Sequence, residues 1–241
     1  MMMSERFSRT EIMLGKDAIS RLASATVAVF GVGGVGGAAT EALARAGVGH
    51  LVLIDADTVS VSNINRQMVA LSSNVGMTKV KAAKMRIEDI NPDIKVDAIE
   101  CFFDSSTKEN FDFSLFDYVI DAIDTVSAKI EIIKMAKTAG CGVISAMGAG
   151  NKLDPTLFQV ADIFKTKVCP LARAVRGRLK KEGIESLKCV YSEEEPTLPK
   201  GETVFSENGH PLPGSVSFVP PVMGYILAGE VIKDLINTQN D

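Results

Sequence analysis

The amino-acid sequence predicts an open α/β fold, doubly wound around a mostly parallel sheet, with an elaborated C-terminal half. Three observations predict it. A short apolar run, Val27 to Phe30, feeds a turn built on Gly31, Gly33, Gly34 and Gly36, after which alanine-rich sequence reads as a helix to about Ala46. A second apolar strand, Leu51 to Ile54, ends in Asp55, 19 residues beyond Gly36. Strand-sized and helix-sized segments then alternate, the pattern that gives parallel strands joined by crossover helices.

Taken in order, residues 1–25 read as a short arm and helix carrying Arg6 and Arg9. The unit from Thr26 to Asp55 is a Rossmann-like strand, glycine turn and helix. Side chains in that turn would keep a phosphate away from the backbone, and the following helix N-terminus offers unpaired N–H groups and partial positive charge. Asp55 stands where such folds place the carboxylate that grips a ribose. From Lys79 onward, Val80, Ala83, Ile87 and Ile90 recur at steps of three and four, which predicts an amphipathic helix that stops before Pro92. Lys81 and Lys84 fall on its solvated faces. Lys95 to Phe103 alternates as a strand, and Tyr118 to Ala122 is a buried strand running into DAIDT. Ligands collect at the carboxyl ends of parallel strands, which puts Asp124 beside the cradle, with capping of the next helix as its plainer role. The helix Val126 to Ala139 and the strand Cys141 to Ala146 complete the core. Beyond it, Ser192 to Gly214 is rich in Glu, Pro, Gly and Ser and reads as a long mobile loop. A closing helix runs to about Asn237, with Gly224, Ala228 and Gly229 small enough for close packing.

Composition narrows the function classes. With 46% hydrophobic and 23% charged residues over 241 positions, the chain can bury one full α/β core, read as a single domain with a nucleotide-binding core at 26–150 and a further portion at 151–241. A formal charge of −4 gives no support to general nucleic-acid binding, so such a role would need a local patch. Cys101, Cys141, Cys169 and Cys189 are too widely spaced for paired zinc ligands, and a disulfide framework does not suit a chain so poor in cysteine. Cys101 and Cys141 read as core residues and Cys189 as structural. With only His50 and His210 available, general-base histidine chemistry has thin support. No apolar signal core or membrane span is evident, and the expected location is the cytoplasm.

The glycine pattern alone would serve NAD, FAD or ATP. Behind it come Asp57, Asn63, Arg66 and Gln67 in DADTVSVSNINRQ, and Lys79 in GMTKVKAA. Hydride transfer develops no phosphate charge that needs Arg and Lys, whereas cleavage of a triphosphate does, and each preplaced donor there is worth roughly 2.7–4 kcal/mol of barrier. Lys79 opens a helix, where a cation is disfavoured unless an anion is near, so its place suggests a phosphate partner; a solvated lysine is the bland alternative. Farther on, Lys165, Lys167, Arg173, Arg176, Arg178, Lys180 and Lys181 form a run without acids. Arg173, Arg176 and Lys180 are spaced to share a helix face toward a phosphate backbone, although basic runs are often only solvated faces.

GVGGVG, DADTVSVSNINRQ, GMTKV and DAIDT, in this order and spacing, resemble the ubiquitin-activating-like adenylyltransferases of ThiF and MoeB type. RFSRTEIMLG, DPTLFQVADIFKTKVCPLARAVRGRLKK and CVYSEEEP are most similar to the tRNA threonylcarbamoyladenosine dehydratases within that superfamily. The resemblance implies ATP-dependent activation of a carboxylate as its adenylate. In the dehydratases this is the carboxylate of threonylcarbamoyladenosine beside the tRNA anticodon, which closes into a ring with loss of AMP. It implies Gly31, Gly33, Gly34, Gly36, Asp55, Asp57, Asn63, Arg66, Lys79 and Asp124 as the nucleotide site. Arg66, Lys79 and Asp124 become catalytic, with Mg²⁺ on Asp124 and no zinc. Arg9 matches an arginine that crosses a homodimer interface to the neighbour's triphosphate, a solvated terminal arginine being the alternative. Residues 151–241 become the tRNA-facing and dimer-forming portion, with the basic run binding tRNA. The resemblance leaves room for a Na⁺ or K⁺ ion near the nucleotide and for a sulfur-relay protein partner. Two other readings stay open: an adenylyltransferase acting on a small sulfur-carrier protein, and an NAD-binding oxidoreductase, which leaves Arg66, Gln67 and Lys79 without purpose.

Overall fold

The computed structural model describes residues 5–202, 204–205, 209 and 211–237. Two short helices, α1 (Ser8–Leu14) and α2 (Lys16–Ser24), replace the single N-terminal helix expected, because the chain turns at Gly15 between them. There follow β1 (Thr26–Phe30), α3 (Gly36–Ala46), β2 (His50–Ile54), α4 (Lys79–Ile90), β3 (Lys95–Ile99), β4 (Tyr118–Asp121), α5 (Val126–Ala139) and β5 (Gly142–Ala146). The second half adds β6 (Phe158–Asp162), α6 (Pro170–Lys181), β7 (Lys188–Ser192) and α7 (Pro220–Asn237).

One seven-stranded sheet runs in the order β3-β2-β1-β4-β5-β7-β6. Every neighbouring pair is parallel except β6 with β7. Both faces are covered, and the strands show it by alternation. Val27, Val29, Leu51 and Leu53 pack with α3, α4 and α7 on one side. Ala28, Phe30, Val52 and Ile54 pack with α5 and α6 on the other. Side chains of successive strand residues point to opposite faces, so an unbroken apolar run marks a strand buried on both. Beneath the end of β1, Phe30 stacks with Phe113 at 5.5 Å and meets Phe103 edge-on at 4.9 Å.

β3 ends at Ile99, short of the expected Phe103, because its only ladder partner β2 ends at the paired residue Ile54. The chain then leaves the sheet and buries Phe103 in the aromatic cluster. The first part of the segment expected to be a mobile loop, residues 193–197, is tied down. Glu194 accepts from Leu153 N and Asp154 N through its carboxylate and from the buried Lys152 Nζ through its carbonyl at 2.6 Å, and Thr197 N donates to Asn151 O. His210 lies outside the described residues. α7 lies along α3 with Gly224 and Ala228 in the contact, while Gly229 faces open space.

Candidate active site

β1 is flanked by β2 on one side and β4 on the other, so the connections diverge there and leave a crevice at the strands' carboxyl ends, where such sheets bind ligands. A cavity of about 450 Å³ occupies it, large enough for a nucleotide. Eight of the ten expected nucleotide-site residues line this cavity: Gly31, Gly33, Asp55, Asp57, Asn63, Arg66, Lys79 and Asp124. Gly34 borders a neighbouring cavity instead. Gly36 lies under the turn.

The turn needs glycine most at two points. Gly31 has φ of +88°, and a Cβ there would stand 2.7 Å from the Ala122 carbonyl oxygen; a Cβ on Gly36 would overlap the Gly31 carbonyl. The second clash is with backbone, which cannot yield. Asp55 braces the same turn: its carboxylate accepts from Val32 N at 2.7 Å and from Asp57 N at 2.8 Å. Each carboxylate oxygen keeps a second lone pair for a ligand hydroxyl. No side chain caps the N-terminus of α3, leaving its first amides without a side-chain partner.

Lys79 is buried and not the solvated lysine of the bland alternative. Its Nζ lies 2.5 Å from Asp57 and 4.0 Å from Asp55. The anion that offsets a lysine at this helix start is therefore a protein carboxylate, and the inference of a phosphate from helix position alone is corrected to that extent. Arg66 is half-buried, its Nη1 donating to Ser62 O and Asn65 Oδ1, both at 2.9 Å. Asn63 is held by accepting from Ser60 N. Asp124 is exposed at the mouth and accepts from the Thr125 hydroxyl at 3.4 Å. It does not cap α5: Thr125 holds the cap position, without a side-chain bond.

The expected nucleotide site leaves out Gln67, although it stands in the motif DADTVSVSNINRQ, and the Asp121–Lys129 pair escapes sequence reasoning. Gln67 lines the cavity almost fully buried, and its Oε1 has no partner among the described residues, as expected of an acceptor waiting for a donor. Asp121, directly before the cavity wall, is fully buried with Lys129, whose Nζ donates to Asp121 at 3.0 Å and to Ala146 O at 2.8 Å. The Ser145 hydroxyl also donates to Asp121. Lys129 stands at a stripe position with Ile132, Ile133 and Ala136 of α5. A lysine on an apolar face was the signal.

The remaining expected residues sit elsewhere. Of the basic run, Lys165, Lys167, Arg173, Arg178, Lys180 and Lys181 are exposed. Arg176 is not: its Nη1 donates to Ile163 O, Thr166 O and Thr166 Oγ1, which ties α6 to the turn behind β6 and takes it out of the expected helix face. Arg9 is exposed on α1 and borders neither cavity. The cysteines are partly reassigned: Cys101 and Cys141 are half-buried, Cys101 against this cavity at the strand ends, while Cys169 and Cys189 are buried. Burial pushes the Cys189 thiol up to about 12, aided by the nearby Asp162 charge, which makes it a poor nucleophile. His50 bonds Asp97 and Thr26 at the opposite end of the sheet.

A second cavity, of about 1150 Å³, adjoins the first and shares Arg66, Asp124 and Ala122 with it. The crevice thus offers an anion-accepting compartment beside a roomier one, with an arginine and a carboxylate at their common wall. Among the described residues no helix is long and apolar enough to cross a membrane.

Known proteins resemble this chain over nearly its whole length. The chain is 46% identical over 245 residues to the tRNA threonylcarbamoyladenosine dehydratase of Bacillus subtilis, covering 97% of this chain and 96% of the relative. Its fold matches the crystal structure of the Escherichia coli enzyme, TcdA, in complex with ATP, with a TM-score of 0.88, 34% identity, and coverage of 96% and 94%. The Haemophilus influenzae molybdopterin-synthase adenylyltransferase is 37% identical, but over only 57% of this chain. The ThiF family matches residues 7–241, and with glycine turn, Arg66, Lys79 and Asp124 gathered at one crevice, the chain belongs to the ThiF family.

Proposed function

We propose that this chain is an ATP-dependent dehydratase that adenylates the carboxylate of threonylcarbamoyladenosine beside the tRNA anticodon and cyclises it. One observation carries the reading: full-length similarity to the dehydratases coincides with a triphosphate-sized cavity whose wall, shared with a larger compartment, holds Arg66 and Asp124.

In the first step a carboxylate oxygen attacks the α-phosphorus of ATP and pyrophosphate leaves. The glycine turn and the α3 N-terminus hold the phosphates; Arg66 and Lys79 meet the charge that gathers on the departing oxygens. Lys79 does so by trading the exposed Asp57 for phosphate. In the second step an atom of the same modification attacks the activated carbonyl and AMP leaves. Substrate loses one water overall, and ATP becomes AMP and pyrophosphate. The attacking atom is already tethered to its target, a situation that reaches effective molarities on the order of 10⁵–10⁸ M, so no thiol relay is needed. A high-pKa Cys189 agrees with that.

Magnesium suits the donor set. Among the described residues no group of three or more acidic, histidine or cysteine side chains could hold a metal, and Mg²⁺ takes one or two carboxylates plus phosphate oxygens, which the exposed Asp124 and a bound triphosphate supply. When bound it neutralises charge on the triphosphate. No described side chain singles out a site for Na⁺ or K⁺ or a face for a sulfur-relay protein, and neither enters the proposal.

We further propose a homodimer in which Arg9 serves the partner's site. Phe7 packs against Gly47 at the carboxyl end of α3, whereas the phosphate turn lies at the other end of this 11-residue helix, about 16 Å away. Arg9 is thus remote from its own cavity. Exposed Val61, next to the crevice residues Ser62 and Asn63, with Ile12 and Met13 on α1, gives apolar surface for a second copy. The six exposed cations between Lys165 and Lys181 are proposed to bind tRNA phosphates, with residues 151–241 as the portion that faces tRNA. The proposed location is the cytoplasm.

ATP/pyrophosphate exchange tests the reading. Stimulation by threonylcarbamoyl-bearing tRNA is expected; stimulation by a sulfur-carrier protein alone would move the chain to the other branch of its family.

A further inference from the structure

The larger cavity has a wall that catalysis of adenylation alone leaves unused. Its near side is Arg66 and Asp124; its far side is a ribbon in which Leu212 N donates to Val204 O at 2.8 Å and Phe205 bridges to Pro211. Phe205 borders the cavity yet is 60% exposed, and Leu212 beside it is 52% exposed. Large apolar side chains held at the rim of a polar crevice mark an interaction surface more than a packing defect.

The ribbon is anchored at Pro213 and Gly214. Asn151 N donates to Gly214 O at 2.8 Å, and Gly214 N donates to Asn151 Oδ1 at 2.7 Å. Gly150 touches Pro213, for a Cβ there would come within 2.7 Å of it. Two residues earlier, a Cβ on Gly148 would lie 3.6 Å from Cys169 Sγ, at the start of the basic helix α6. The loop leaving β5 therefore joins the ribbon to the helix that carries the exposed cations.

This juxtaposition, taken with the dehydratase reading on which it rests, limits what fills the cavity. The reacting carboxylate must reach the wall shared with the phosphates, so the rest of its nucleoside extends into the larger compartment toward the ribbon. Enzymes that act on a base draw it out of its stack, and bases unstacked from RNA loops are received on aromatic faces. We infer that Phe205 is the stacking wall for the splayed, modified adenine, with the flanking phosphates directed toward α6. A carrier-protein tail, the competing occupant, would be held by main-chain hydrogen bonds and would have no need of a planar face.

The test compares Phe205→Ala and Phe205→Trp with wild type on threonylcarbamoyl-bearing tRNA, and measures ATP binding directly in each. Phe205→Ala is expected to lower kcat/KM for tRNA by roughly 5- to 100-fold, the range set by loss of one base–aromatic stack, with ATP affinity unchanged. Phe205→Trp restores the rate, since it keeps a planar face. Wild-type kcat/KM in Phe205→Ala overturns the stacking wall while leaving the dehydratase reading intact. A parallel fall in ATP affinity that tryptophan does not rescue overturns it as well, by showing a structural role. If wild type itself converts no modified tRNA, both readings fall together.

Discussion

Two buried lysines, Lys79 beyond the end of β2 and Lys129 under β4, are each paired with an aspartate, and their surroundings are opposite. Lys129 is fully buried with Asp121, and every acceptor around its Nζ belongs to the sheet: Asp121, Ser145 and Ala146. Lys79 is nearly as buried, but Asp57 has 69% of its side chain in solvent. The difference is freedom to exchange. In the crevice the carboxylate can turn to water and hand its lysine to an incoming phosphate; in the sheet interior no partner can enter or leave. A buried lysine is thus architecture in one place and, on the proposed mechanism, preorganised charge in the other.

Removing each lysine should break the comparison most visibly. Lys129→Met leaves Asp121 charged in the interior and is expected to cost about 3–5 kcal/mol in denaturant unfolding. Lys79→Met is expected to cost under about 1 kcal/mol, because the orphaned Asp57 is hydrated. Equal losses would erase the distinction.

Activity should invert the ranking. Lys79→Met, Arg66→Ala and Asp124→Ala are each expected to cut turnover by about 10²–10³, equivalent to roughly 2.7–4 kcal/mol of barrier, with unfolding midpoints near wild type. Wild-type rates in any folded variant would remove that residue from the mechanism. Mixing subunits sharpens the point further. Arg9→Ala and Arg66→Ala proteins, each nearly inactive, should regain turnover when combined, since a heterodimer then holds one intact site; no recovery would refute action across the interface.

Smaller effects are expected away from the crevice. Burial works to raise the Glu41 carboxyl, but hydrogen bonds and charge from Arg86 and Arg45 outweigh it and hold it below its ordinary value of 4.5. A depressed carboxyl contributes stability that is present above the unfolded value and lost as pH falls through the folded one. Glu41→Gln should therefore flatten the decline of unfolding free energy below about pH 4.5, and an unchanged acid profile would speak against the pairing. Cys189→Ala should lower stability slightly and keep substantial turnover; complete loss in a folded variant would revive a thiol relay.

Much of this was legible in the sequence because the decisive signals are local. α3, α4 and α5 begin and end where glycine, apolar stripe and Pro92 place them, and the cradle from Gly31 to Lys79 lies within one stretch of chain. What was hidden depends on contacts between distant segments. No local pattern shows that β7 inserts between β5 and β6 or that β6 runs antiparallel. The Asp121–Lys129 pair spans a strand and a helix, and Arg176 looked like its basic neighbours until the turn at Ile163 to Thr166 was seen to claim it. The second cavity draws its walls from Arg66, Asn151 and Leu212, segments that only the fold brings together.

The most direct measurement is the mass of the modified nucleoside recovered from threonylcarbamoyl-bearing tRNA after incubation with this protein and ATP. Loss of one water, with AMP and pyrophosphate released in step, is the predicted result. An unchanged nucleoside in the presence of active, ATP-binding protein would contradict it.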